Sequence, residues 1–445
     1  MRALHRLFMG TALLLAGASI ARAADTPAVD APPSTADVLG TIVVVAGATR
    51  PLPRVAVVPS LASDIEDVTL HAVTHRDLDL CGEFELLPPS EAPEEALLAT
   101  AVDVRPWAKK RVEALIQVGA RRGEGQDRVE ITGRVYLVAR GAAPVFARRF
   151  LVPAGDLRAE SHRLVDLLIG ALTGKNGGFG SHLTFVAGTG KLRQVYTMDA
   201  DGHGAAAVSP TDAIALAPAF GKTEELFWSS SVDHGEYQLR AASGRTIPLP
   251  VRGSVYGLAF SRDRSQVAVS IGVEGTIKLF AGPDFEHLTP ASGVGMALRP
   301  TFTPSGKLAF AGEGRYGQRI YVDGKPITPE GLFASAPTFC NHPDGVRVVF
   351  AVGSGKDSDL LAAGERGGDM VRLTQGQGRN GYPACSPDGR ILAFFSTRTS
   401  GEGPGLYLMR LDGGRPKRIS TLVGDSLRWE SLPPGRAIEV DAKVP

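Results

Sequence analysis

Short apolar runs separated by tight polar turns fill the last part of the chain, and residues 381–421 show the pattern most clearly. Residues 382–386 predict a first strand. Ser386-Pro387-Asp388-Gly389 predicts a turn, because Pro presets φ and Gly accepts a positive φ. Ile391–Ser396 is an apolar run of the kind expected of a strand covered on both faces. After a Gly-rich loop, 406–410 predicts a third strand, and Asp412-Gly413-Gly414 turns the chain into a fourth over 417–420. Four antiparallel strands in about forty residues make one propeller blade.

The same pattern recurs upstream. The end of the first strand reappears at Ala219-Phe220, Ala259-Phe260, Thr301-Phe302, Thr338-Phe339 and Ala384-Cys385, a period of roughly 37–46 residues. Second strands are expected at 226–230, 267–271, 308–312, 348–352 and 392–396. Third strands are expected at 237–241, 277–281, 319–323, 359–363 and 406–410. Fourth strands are expected at 246–249, 287–289, 326–328, 372–374 and 418–420. A sixth copy is split: 183–187, 195–199 and 205–209 supply strands two to four, and the missing first strand is found at 427–431. A ring closed by both ends leaves no free sheet edge between first and last blade.

The pattern before the blades is different. Residues 41–45 (TIVVV) and 54–59 read as strands, 64–80 as a helix stopped by Cys81-Gly82-Glu83-Phe84, and 115–120, 129–139 and 145–152 as further strands. Residues 156–172 form an amphipathic helix with Leu164, Leu167, Leu168 and Leu172 on one face. The predicted fold is mainly β, a six-bladed β-propeller over 181–435 preceded by a small mixed α/β domain over 41–175. The Gly-rich stretch 173–181 is expected to be the hinge and an early site of proteolysis.

Composition adds a compartment. Arg2 and Arg6 precede the apolar stretch 7–20, and Ala21-Arg22-Ala23 is a small-x-small cleavage site, so 1–23 is expected to be a signal peptide. The Ala/Pro-rich stretch 24–40 is expected to be a disordered linker. No later apolar run is long enough to span a bilayer, so an exported protein without membrane insertion is expected. A formal charge of +1, from 48 basic and 47 acidic residues, gives no electrostatic case for nucleic acid. Of three cysteines, Cys340 and Cys385 fall at the ends of first strands in neighbouring blades, so one bridge is conceivable. Small buried thiols packed as apolar residues are the favoured reading.

Catalytic and cofactor motifs are missing. There is no G-x-S-x-G elbow, and the Gly-Lys pairs at 174–175, 190–191 and 355–356 lack the spacing of a phosphate loop. His71 and His75 share a helix face, but position 72 is Ala and no third ligand is evident, so a solvated pair is expected. Asp357-Ser358-Asp359 is adequately explained as a loop. First strands offer Phe220, Phe260, Phe302, Phe339 and Trp429 rather than inward carboxylates. No enzyme, metal or cofactor is expected.

An exported chain with a small mixed domain and six blades carrying SPDG turns resembles the TolB family, the periplasmic component of the Tol–Pal cell-envelope system of Gram-negative bacteria. Residues 42–59 (IVVVAGATRPLPRVAVVP) resemble the family's first mature segment. Cys81-Gly82-Glu83-Phe84 resembles its S-G-x-F, and Trp107 with 114–119 resembles its W…A-x-x-V-V-G. Residues 172–186 (LTGKNGGFGSHLTFV) resemble its helix-to-propeller junction. The resemblance implies a monomeric, non-catalytic periplasmic scaffold serving outer-membrane integrity and constriction during division. It implies a TolA-like inner-membrane partner at Ile42, Val43, Val44, Val45, Arg50 and Arg54. It also implies a Pal-like peptidoglycan-associated lipoprotein on the pore face, at Ser254, Val255, Tyr256, Gly257, Met296, Leu298, Arg299, Ser335, Arg379, Asn380 and Tyr382. The chain departs from the family in its longer linker, its degraded turns in several blades, and apolar residues on the pore face. The alternatives are a scaffold of another envelope complex and, more distantly, a propeller enzyme using the central channel.

Overall fold

The computed structural model describes residues 43–44, 51–97, 101–123, 127–188, 192–222, 225–232, 235–353, 357–431 and 437–440. The expected signal peptide and linker lie outside the described residues, as do Ile42, Val45 and Arg50.

The amino-terminal part is a mixed sheet in the order Glu85–Leu86, Arg54–Val57, Ala114–Arg122, Arg128–Leu137, Phe146–Pro153, Ile438–Glu439. Arg54–Val57 pairs in parallel with both of its neighbours, and the remaining pairs are antiparallel. Two helices pack on this sheet. Ile65–Cys81 carries Glu66 and Asp67 in its first turn, where negative charge suits the helix dipole, and stops at Gly82 in the left-handed region. Leu157–Thr173 stops in the same way at Gly174. This second helix buries Leu164, Val165, Leu168 and Ile169, while Leu167 and Leu172 stay half-buried. The apolar stripe is therefore rotated from the one expected. Leu164 and Leu168 lie against Gly133, where an added Cβ would come within 2.9 Å of Leu164 Cδ1; glycine there lets the helix approach the sheet closely.

Six antiparallel sheets form the propeller, numbered here in chain order. Blade 1 (Ser181–Ala187, Gln194–Asp199, Ala206–Ala207) takes its inner strand from the far end of the chain, Gly424–Ser431, as the split copy predicts. The second strand of blade 6, Ile391–Ser396, is buried along its whole length, which accounts for its unbroken apolar character. Blade 2 keeps three strands; the fourth expected at 246–249 is reduced to one bridge, Arg240 to Thr246. Two of the turns that read as degraded, in blades 3 and 4, keep the geometry of the blade 6 turn, whereas in blade 5 His342 pairs directly with Gly345. Gly389 (φ 79°) donates its N–H to Ser386 O, Gly306 (φ 83°) to Thr303 O, and Arg264 (φ 60°) to Ser261 O, each at 2.9 Å. Arg264 therefore occupies a glycine position, and its side chain is free to act elsewhere.

Every inner strand carries a bulge at one level. The register shifts fall between 216 and 219, 255 and 257, 298 and 301, 335 and 338, 381 and 384, and 425 and 428. In five blades the bulged residue is a non-glycine at positive φ: Ala217, Arg299, Ala336, Tyr382 and Ser426. Such bulges re-aim side chains and gather at functional openings.

Three features differ from expectation. Cys340 and Cys385 form a disulfide, with Cα atoms 5.3 Å apart, so the favoured reading of free packed thiols is corrected; Cys81 alone is free and buried. The bridge is possible because the two inner strands are adjacent at the same level. Residues 173–181 are not a loose hinge. Phe179 is fully buried, and Asp166 accepts the N–H groups of Phe179 and Gly180 at 2.8 and 2.7 Å. Finally, after closing the ring the chain returns to the amino-terminal sheet, where Ile438 pairs with Leu151 and Glu439 with Phe150. Periodicity could not foresee a two-residue edge strand.

Candidate functional site

The inner strands surround an axial channel. At the bulged end it opens into a cleft of about 370 Å³ over blades 4 to 6. Below lie a constriction of about 30 Å³, a chamber of about 120 Å³, and an opening of about 260 Å³ beside the SPDG turn of blade 6. Adjacent cavities share lining residues, such as Arg299 and Tyr382 at the top and Trp429 and Glu430 at the bottom. The amino-terminal part abuts the turn end: Lys175 Nζ donates to Asn341 O, and Arg390 Nη1 to Thr173 Oγ1. The cleft is at the other end.

Five of the residues expected to bind the lipoprotein-like partner, Leu298, Arg299, Ser335, Arg379 and Tyr382, line this cleft together. Arg299 lies over the Tyr382 ring, 4.6 Å from its centroid, and donates to Ser426 Oγ at 2.7 Å. Phe333 lines the cleft and is 41% exposed; Met296, at 43%, and Tyr256, at 39%, are exposed on neighbouring inner-strand entries. Gly257 lines the constriction, where a Cβ would come within 2.6 Å of Pro300 Cδ. Three expected residues serve the fold instead. Val255 is buried in the core between blades 2 and 3. Ser254 Oγ accepts the Tyr237 N–H. Asn380 is fully buried, its side chain bonded to Ser396 Oγ and Ser358 O.

The residues expected to meet the inner-membrane partner divide differently. Val43–Val44 pairs in parallel with Val371–Arg372, adding a fifth strand to the outer edge of blade 5. Arg54 does not belong to an arm. It opens a sheet strand, donates to Lys110 O at 2.8 Å, and pairs with Glu85 at 3.3 Å.

Sequence reasoning missed the polar residues of the channel. Arg428 and Glu430 project from the closing strand, and Glu430 pairs with Arg264 across the lower chamber. The expectation of no inward carboxylate on first strands is thereby corrected, although this one is neutralised by its partner. Aligning the six bulges reveals the signal: Arg428 stands where the other blades have Ala219, Ala259, Thr301, Thr338 and Ala384.

A second polar cluster lies at the seam between the two parts. Oxygen and nitrogen atoms of Asp77, His162 and Asp201 lie within 4.8 Å of one another, all buried. Asp201 is occupied by Arg158 and by the His203 N–H, and His162 Nδ1 by Asp77 at 2.7 Å. Arg158 and His162 pair with Asp77, Asp199 and Asp201 along this seam, while Asp77 Oδ1 and His162 Nε2 are buried without a hydrogen-bond partner among the described residues. Burial by itself would lower His162 and raise Asp77. The charge of Asp77 reverses the effect on the histidine, which rises to about 9, while Asp77 rises to about 6. His71 and His75 are half-buried rather than solvated, and burial lowers both.

Among the described residues no helix is long and apolar enough to cross a membrane. Residues 40–143 match the TolB amino-terminal domain family. A protein TolB homolog from Chlorobium chlorochromatii is 28% identical over 242 residues, covering 52% of this chain and 54% of its own length. A Tol-Pal system protein TolB from Geobacter metallireducens is 30% identical over 145 residues, covering 32% of this chain and 33% of its own. The chain thus spans about a third to a half of the length of these curated relatives. The crystal structure of TolB from Acinetobacter baumannii superimposes with a TM-score of 0.70 at 18% identity, covering 86% of this chain and 98% of that one. That likeness establishes the fold.

Proposed function

We infer that this chain, which belongs to the TolB family, is an exported, non-catalytic binding scaffold of a Tol–Pal-type envelope system. The observation that carries this reading is the convergence of Leu298, Arg299, Ser335, Arg379 and Tyr382 on one cleft at the free end of the propeller. Loops held by a rigid ring are a common way to present a binding surface. The cleft joins exposed aromatic and apolar side chains to arginines, the composition of an interface centre.

On this reading a Pal-like lipoprotein docks at the cleft and a TolA-like inner-membrane protein engages the segment containing Val43 and Val44. An added edge strand can be exchanged for a partner's strand, which suits that segment to binding. The monomer works in the periplasm, supporting outer-membrane integrity and constriction during division. The Arg264–Glu430 pair supports binding over catalysis, since the carboxylate on the channel's closing strand is committed to an ion pair.

The test is crosslinking in intact cells with identification of captured partners, followed by pull-downs. Arg299→Glu with Tyr382→Ala should remove the lipoprotein and keep the inner-membrane partner. Deleting 24–45 should do the reverse. Retention of both partners in both variants would overturn the assignment.

A further inference from the structure

Channels through propellers are lined by the inner strands, and in this chain five of six positions at one level are small. Arg428 is the exception, and it spans the opening. Its Nη2 donates to the carbonyls of Leu258, at 2.9 Å, and Pro300, at 3.0 Å, on the inner strands of blades 3 and 4. Arg299, one level nearer the cleft, reaches in the opposite direction, from blade 4 to Ser426 on the closing strand of blade 1. Two guanidinium groups thus cross the channel in opposite senses. Both line the constriction of about 30 Å³, together with Ser426 and Tyr382.

Neither arginine has a carboxylate partner among the described residues. Arg428 meets only carbonyls, and Arg299 meets a hydroxyl and a ring. The acid on the same wall, Glu430, is held by Arg264, and Asp425 is held by Arg193. Like charges in a narrow passage repel. Burial pushes the Arg428 guanidinium down to about 10; Arg299 adds to that effect and Glu430 opposes it. Carbonyl acceptors do not supply the missing counter-charge.

We propose that the constriction is a carboxylate-binding site, in which Arg299 and Arg428 grip the anion; the Ser426 hydroxyl accepts from Arg299, gives its own proton to Asp425 Oδ1 at 2.7 Å, and so orients Arg299 without contacting the anion as a donor. The planar guanidinium fork matches a carboxylate. A void of about 30 Å³ accepts that headgroup and excludes bulkier anions at this level. Entry is from the cleft, which shares Arg299 and Tyr382 with the constriction and carries both Arg379 and Asp357 in its lining. The carboxylate is either a free small acid or an aspartate or glutamate side chain presented by a protein seated on the cleft. The site stands on the channel geometry and does not depend on the identity of the envelope partners.

Isothermal titration of the full mature chain, in low-chloride buffer at fixed ionic strength, tests the site with two probes: acetate and N-acetyl-aspartyl amide. One equivalent of at least one probe is expected to bind, and Arg428→Gln is expected to weaken it at least about tenfold, the scale of a lost charge-assisted contact. Arg299→Gln, nearer the surface, provides the same test should Arg428→Gln fold poorly; thermal melts report folding for both. Equal binding of the two probes supports a free acid. Blocked aspartate binding about tenfold more tightly supports a side chain carried by a protein. The proposal is overturned if neither probe binds below about 50 mM, or if binding is unchanged in Arg299→Gln.

Discussion

His162 Nδ1 lies 2.7 Å from Asp77 Oδ2, and Arg158, one turn earlier on the same helix, bridges to Asp199 and Asp201 of the first blade. The buried pair ties the two helices of the amino-terminal part to each other, and the Arg158 bridge fixes that part onto the propeller. The histidine rises from 6.5 to about 9 because the charge of Asp77 outweighs the burial that would lower it. A histidine raised on folding contributes stability that is complete below its unfolded pKa and is lost as pH climbs through the folded one. Thermal stability should therefore fall as pH rises from about 6.5 to about 9, the interval between those two values. His162→Gln should flatten that slope and cost about 3–5 kcal/mol near neutrality, because it leaves Asp77 buried without its partner. Melting curves across this range decide the matter; a wild-type profile that is level there removes the ion pair from the account.

The Cys340–Cys385 disulfide joins the inner strands of blades 5 and 6, across a sequence separation of 45. It limits the unfolded chain and ties two neighbouring sheets at the channel wall. Reduction, or Cys340→Ala with Cys385→Ala, should lower unfolding free energy by about 2–4 kcal/mol. Denaturant titration with and without reductant measures this, with Cys81→Ala as the control that leaves the reductant effect in place. Equal midpoints in both conditions would show that the bridge does not form in solution.

The repeat made the ring legible, because each blade must alternate covered strands with turns of defined chemistry. The closing strand was legible because one copy lacked its first strand. The disulfide was visible only as a coincidence of register, since spacing gives proximity and not oxidation. The channel arginines were hidden for another reason. A single Arg428 among short apolar residues reads as an ordinary surface charge until the six bulges are superimposed. Asn380 and Val255 were assigned to the surface from their place before a first strand. Both are already paired in the sheet ahead of the bulge, Val255 with Ile271 and Asn380 with Ser396, so the first strand begins earlier than the repeat suggests and buries them.

The closing strand and the returning tail should differ sharply in weight. Truncation after Ser420 removes Gly424–Ser431, which pairs with Ser181–Ala187 and buries Leu427 and Trp429, whose Nε1 donates to Ser181 Oγ at 2.7 Å. Two apolar side chains and a sheet edge are lost, a cost of at least about 3–6 kcal/mol. Among the described residues, truncation after residue 436 removes Ala437, the exposed edge strand Ile438–Glu439, the Val440 N–H bond to Arg149 O at 3.0 Å and the exposed Arg148–Glu439 pair at 3.2 Å, and should cost no more than about 1–2 kcal/mol. Comparable melting of the two truncations would contradict ring closure by the terminal strand.

The stretch 173–181 reads as a hinge, yet its glycines serve close packing. A Cβ on Gly177 would fall 2.4 Å from Asp166 Oδ1, and one on Gly178 would fall 3.1 Å from Asp388 Oδ1 of the blade 6 turn. Asp166 holds the stretch through the Phe179 and Gly180 N–H groups, and burial lifts its carboxyl to about 7 against the pull of those two donors. A carboxyl raised on folding contributes stability that is complete below about 4 and is lost as pH rises through about 7. Limited proteolysis at acidic to neutral pH should therefore spare these residues. Asp166→Asn keeps an acceptor and should stay protected while losing the stability slope between about 4 and 7. Asp166→Ala strands two buried donors and should cost about 1–3 kcal/mol, with a new cleavage inside 173–181 detected by mass spectrometry. Prompt cutting of the wild-type chain in this stretch, at a rate equal to that of Asp166→Ala, would show that the carboxylate does not hold it.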